Sequence, residues 1–154
     1  MKRFSFKLQK LLEFRQTTEE RLITELAAID AEYQRQTRRL MEIKSQEQSC
    51  RESLKEKLGL GNCEEIKETS LYLIELGERV KAQKHLILKI EESRRAKMEE
   101  ILQASKERKA LEQLKDQKRV EHRKETEREE QVFLDDIAST RHNRTAAAGF
   151  SSGS

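Results

Sequence analysis

The sequence predicts an all-α protein: two long helices folded back as an antiparallel coiled-coil hairpin, the second helix longer than the first. Three observations predict it. The 154 residues hold no proline and only five glycines, and two of these, Gly59 and Gly61, sit together between two long charged segments. Proline and glycine are the usual interruptions of a helix, so their scarcity and this pairing read as two helices and one turn. Apolar residues then recur at steps of three and four on both sides of the pair, which is the helical period. Charged residues make up 40% and hydrophobic residues 34% of the chain, too few apolar side chains for a multilayer core but enough for one seam.

Helix one is expected from about Arg3 to Leu58. Leu22, Leu26, Ile29, Tyr33, Leu40, Ile43, Cys50 and Leu54 mark its seam, with Gln36 and Glu47 as polar exceptions. Phe4, Leu8, Leu11 and Leu12 form a denser apolar patch near its start. At 1.5 Å per residue such a helix spans on the order of 80 Å. The turn is expected at 59–62, with Gly59 in a left-handed position past Leu58 and Asn62 capping the next helix, where Glu65 can close a capping box. So short a connection forces antiparallel neighbours.

Helix two is expected from about Cys63 to Arg141. Its seam runs through Ile66, Leu73, Leu76, Val80, Ile87, Ile90, Ile101, Ala104 and Leu111, interrupted by Thr69, Gln83, Arg94, Lys97 and Arg108. Polar seam residues cost stability but can fix register. Gly77 is a mid-helix weak spot or a site of close approach. Residues 1–144 thus read as a single hairpin and 145–154 as a disordered tail of small and polar residues.

Folding about residue 60 or 61 sets Leu54 opposite Ile66, Leu40 opposite Val80 and Leu8 opposite Leu114. Helix one is then used up near residue 117, and 118–144 overhangs. Within the overhang Val132, Phe133, Leu134, Ile137 and Ala138 form a short apolar patch, a candidate docking site. Phe4, Leu8 and Leu11 are expected to meet Leu111 and Leu114 in a stem flanked by Lys7, Lys10, Lys115 and Arg119.

Charge is nearly balanced overall, at +3, but unevenly placed. Residues 41–80 carry six basic and nine acidic side chains; residues 1–15 carry five and one, and 106–124 carry eight and four. A mildly negative turn region and a positive open end suit two different partners. Acidic residues are mixed among the basic ones and no aromatics interleave, so nucleic acid is not expected as a partner. No catalytic constellation, cofactor fingerprint or metal-ligand spacing occurs: the three histidines are far apart, and Cys50 and Cys63 form no metal motif. Free thiols suit a reducing cytosol, and no segment approaches the ~18 apolar residues of a membrane span.

The run Phe4-Ser5-Phe6-Lys7-Leu8-Gln9-Lys10-Leu11-Leu12-Glu13-Phe14-Arg15 resembles the opening of the flagellar export protein FliJ family. Lys106-Glu107-Arg108-Lys109-Ala110-Leu111-Glu112-Gln113-Leu114-Lys115 is similar to that family's second-helix signature, as are Glu129-Glu130-Gln131 and Leu134-Asp135-Asp136-Ile137-Ala138. The resemblance covers residues 2–144. It implies a non-enzymatic component of the flagellar type III export apparatus, cytoplasmic and peripheral at the membrane base of the flagellum. Family members resemble the rotor stalk of the rotary ATP synthases. The resemblance implies three partners: the hexameric export ATPase, the cytoplasmic domain of the membrane export gate, and export chaperones. Tyr72 and Leu76 look like the family's gate-contacting positions. Arg79 and Gln83 depart from the family pattern in the following positions, as do Gln46 and Cys50 on the first helix. For the ATPase ring, the expected contacts are Lys7, Lys10, Lys115 and Arg119 on the stem and Phe133, Leu134 and Ile137 on the overhang. From sequence alone the stalk of a virulence-type secretion system, or a generic coiled-coil scaffold with weak nucleic-acid binding, stays open as an alternative.

Overall fold

The computed structural model of the chain describes residues 2–151. Two helices account for nearly all of them: α1, Gln9–Leu60, and α2, Cys63–Ser151. They fold back on each other as an antiparallel hairpin whose second helix is the longer. Two compact units divide the chain: a hairpin unit, Thr17–Ser105, and a second unit that joins residues up to Gln16 with those from Lys106 onward.

In the hairpin unit the chain reverses at Gly61, whose φ of 71° lies in the left-handed region. Helix α1 therefore runs through Gly59, two residues past the expected end, and Gly61 rather than Gly59 takes the position that only glycine occupies without strain. The Asn62 carbonyl accepts the first bond of α2 from the Ile66 amide, and Glu64 and Glu65 in the first turn favour the positive end of the helix dipole.

The expected seam is the observed one. Leu22, Cys50, Leu76, Val80 and Ala104 are buried, and the other apolar positions from Leu26 to Leu54 and from Ile66 to Ile101 are half-buried. A two-helix interface covers each side chain from one direction only, so few are fully enclosed. Leu76 is the exception, with no exposed surface.

Four of the five residues that interrupt the α2 seam meet a partner across the hairpin; the fifth, Arg108, pairs with Glu112 on its own helix. Gln83 bonds to Gln36, Arg94 lies 2.7 Å from Asp30, and Lys97 donates to Glu25 at 2.8 Å. The Thr69 carbonyl lies 3.6 Å from the Cys50 thiol, and its hydroxyl accepts from Lys57 Nζ at 2.9 Å. The Tyr33 hydroxyl reaches Glu91 at 3.1 Å. These pairs follow the fold-back about residue 60 that the spacing predicts. Gly77 is half-buried, and a Cβ built there meets nothing within 4 Å, so it is a gap in the helix and not a point of close approach.

In the second unit residues 2–6 are not helical, and α1 starts at Gln9 instead of Arg3. Leu12 is buried there, whereas Leu8 and Leu11 stay about two-fifths exposed. The stem expected from Phe4, Leu8 and Leu11 is thus built around Leu12. Arg15 forms an ion pair with Glu107. Helix α2 passes the expected end at Arg141 and continues to Ser151, since nothing between the two breaks a helix except Gly149. Residues 152–154 of the expected tail lie outside the described residues.

Candidate partner-binding surfaces

On the hairpin unit the two positions expected to contact a partner together separate. Tyr72 is 45% exposed, while Leu76 is wholly buried in the seam. The seam steps from Leu73 to Leu76 to Val80, so Leu76 faces α1 while Tyr72 faces outward. Gln83 and Cys50 are buried for the same reason. Gln46 and Arg79 are exposed, and Arg79 pairs with Glu75 at 2.9 Å.

Tyr72 lines an open groove with Gln46 and with Ser45, Ser49 and Ser53 of α1. Gln46 also lines the adjoining groove, together with Arg39, Arg79 and Leu86. One continuous face therefore runs from Tyr72 past Gln46 and Arg79 to Leu86, which is 41% exposed. Leu86 was missed in the sequence although a signal was there: Tyr72, Arg79 and Leu86 are seven residues apart, a spacing that returns to the same side of a coiled-coil helix.

In the second unit the non-helical residues 2–8 lie along α2 as a strap. The Phe4 ring meets His122 edge-on, with centroids 5.5 Å apart and planes inclined at 62°, and the Arg119 guanidinium sits 5.9 Å from the Phe4 centroid. Phe4, Phe6, Leu8 and Leu114 line a mostly apolar groove that Lys7, Lys118, Glu121 and Glu125 edge. Lys7 and Lys10 are exposed and Lys115 is half-buried. Lys118 is tied to Glu121 at 3.1 Å.

The strap changes where the unpartnered part of α2 begins. An extended chain covers roughly 3.3 Å per residue against 1.5 Å in a helix. Residues 2–6, not wound into helix, reach further along α2 than a helix would, so Lys118 and His122 lie beside the strap. Among the described residues the last half-buried one is Thr126, and every residue from Glu127 to Gly149 is exposed. Phe133 and Leu134 are 65% and 58% exposed, and Ile137 is less open. Phe133 and Ile137 are four apart and share a face. Val132 lines a shallow surface with Phe133 and the charged residues Glu125, Arg128, Glu129 and Asp136.

Among the described residues no three histidine, cysteine or acidic side chains are grouped as metal ligands. No helix among them is long and apolar enough to cross a membrane. The family model described as "Flagellar FliJ protein" matches residues 4–147, nearly the whole chain. No curated protein and no solved structure gives a match.

Proposed function

The chain belongs to the flagellar FliJ protein family, and from that membership we infer that it is the central-stalk coiled coil of the flagellar type III export apparatus, binding the export ATPase ring, the export gate and export chaperones. The observation that carries this reading is the family match over 4–147 on a hairpin with a longer second helix. Its role is mechanical and recognitive, not catalytic. The hairpin unit offers the gate contact, with Tyr72 at its centre and Gln46, Arg79 and Leu86 along the same face. The second unit offers the ATPase contact. Lys7, Lys10 and Lys115 steer it to acidic loops, and Phe133, Leu134 and Ile137 supply the apolar anchor. Arg119 contributes charge there while its guanidinium stays against Phe4.

Binding of the full chain to the cognate export ATPase, the cytoplasmic domain of the gate protein and a chaperone, each measured separately by calorimetry, tests the assignment. Binding to both ATPase and gate is expected. Binding to neither would overturn it.

A further inference from the structure

Helix α1 begins where the sequence gives it no reason to. Its first intrahelical bond runs from the Leu12 amide to the Leu8 carbonyl, so Leu8 holds the N-cap position. Leucine has no side-chain oxygen for the free amides of a first turn, and that turn contains no acidic residue. Helix α2, by contrast, starts behind Asn62 with two glutamates in its first turn. Residues 2–8 hold no glycine or proline that would stop α1 from starting earlier. Ser5, a good capping residue, lies one turn upstream.

What holds the strap out of the helix is therefore tertiary. Among the described residues no hydrogen bond or ion pair ties 2–8 to α2. The contacts are the Phe4 ring on His122 and Arg119, and the apolar lining shared by Phe6, Leu8 and Leu114. The Gln9 amide closes only a local turn, onto the Phe6 carbonyl at 3.1 Å.

We propose that residues 2–8 are a two-state element, a strap clasped by Arg119 and His122 in one state and an added turn of α1 capped by Ser5 in the other. The clasped state builds the apolar groove, with the strap as one wall and Leu114 and His122 as the other. The helical state takes that wall away. The equilibrium is poised because backbone hydrogen bonding and the Ser5 cap favour the helix, while the Phe4 ring contacts favour the strap. Anything that engages Arg119 in place of the Phe4 ring tips the segment towards helix and dismantles the groove.

The test is the backbone chemical shifts of the full chain in solution. Two variants break the clasp by different routes. Arg119→Gln with His122→Ala removes it from α2, at exposed or half-exposed positions where both new residues suit a helix. Phe4→Leu removes the ring and keeps an apolar side chain. In both, the Cα shifts of Phe6, Lys7 and Leu8 move downfield to helical values while those of the hairpin unit stay in place. Shifts that stay at wild-type values, or move to random-coil values, overturn the proposal: the first outcome denies the clasp and the second denies the alternative helix.

Discussion

Gln83 Nε2 donates to Gln36 twice, to its backbone carbonyl at 2.9 Å and to its side-chain oxygen at 2.7 Å. Gln36 in turn donates to Glu32 at 2.6 Å. A buried amide is thus satisfied across the hairpin by one residue of the other helix, and a slip of one residue breaks both bonds. The pair sets register in the way buried polar residues do in coiled coils.

Removing one partner leaves the other short of a bond. Gln83→Ala should lower stability by about 1–3 kcal/mol in urea unfolding, the cost of an unsatisfied buried group plus lost packing. Gln83→Leu combined with Gln36→Leu should recover most of that, because an apolar pair suits the seam. The double variant should also show more than one set of amide signals, since register is no longer fixed. A single set would assign register to the neighbouring pairs.

Lys97 and Glu25 give stability a pH dependence of known sign. The hydrogen bond from Lys97 holds the Glu25 carboxyl below its usual range, and the bond to Glu25, with a second to Glu100, raises the Lys97 ammonium above its own. A carboxylate with a lowered folded pKa stabilises above its ordinary value, about 4.3, and loses that contribution as pH falls through the lowered value. A lysine raised in the fold stabilises below its ordinary range and loses the contribution as pH rises through the raised value. Lys97→Met should therefore be less stable than wild type at neutral pH and converge on it in acid. Chemical unfolding followed by circular dichroism across pH checks this. A gap that widens in acid would refute the pairing.

Gly77→Ala should stabilise the chain. The added methyl meets no atom within 4 Å, and glycine within a helix costs about 1 kcal/mol relative to alanine. A rise of a few degrees in Tm is expected; a fall would mean that the open space at Gly77 is needed.

Tyr72 and Leu76 should behave as opposites. Tyr72→Ala removes an exposed ring, so helicity and Tm should hold while affinity for the cytoplasmic domain of the export gate drops. Leu76→Ala opens a cavity at the most buried position and should cost about 2–5 kcal/mol. If Tyr72→Ala melts the hairpin, the ring belongs to the core.

The hairpin, its turn region and its seam were legible in the sequence because each rests on local rules: helical period, the glycine pair, and a short connection. What was not legible rests on tertiary choices. Gly59 and Gly61 are equally able to adopt positive φ, and only the fold selects Gly61. Arg94 and Lys97 read as interruptions because their partners, Asp30 and Glu25, lie more than sixty residues away in sequence. The strap escaped for the same reason: every local rule favours helix from Arg3, and Phe4 is held instead by Arg119 and His122. For the candidate surfaces, four-residue spacing put Tyr72 and Leu76 on one side of α2 but could not say which of them faced the seam.

The central claim is that the exposed end of α2 carries the action on the export ATPase. The direct measurement is the ATP hydrolysis rate of the cognate export ATPase with the full chain and with a chain ending at Thr126. That cut keeps Arg119, His122 and the buried seam, so the two proteins should melt alike. Stimulation by the full chain and its loss on truncation, reproduced by Phe133→Ser with Ile137→Ser, is the predicted result. A truncated chain that stimulates as well as the full chain would contradict the account and move the contact away from Phe133, Leu134 and Ile137.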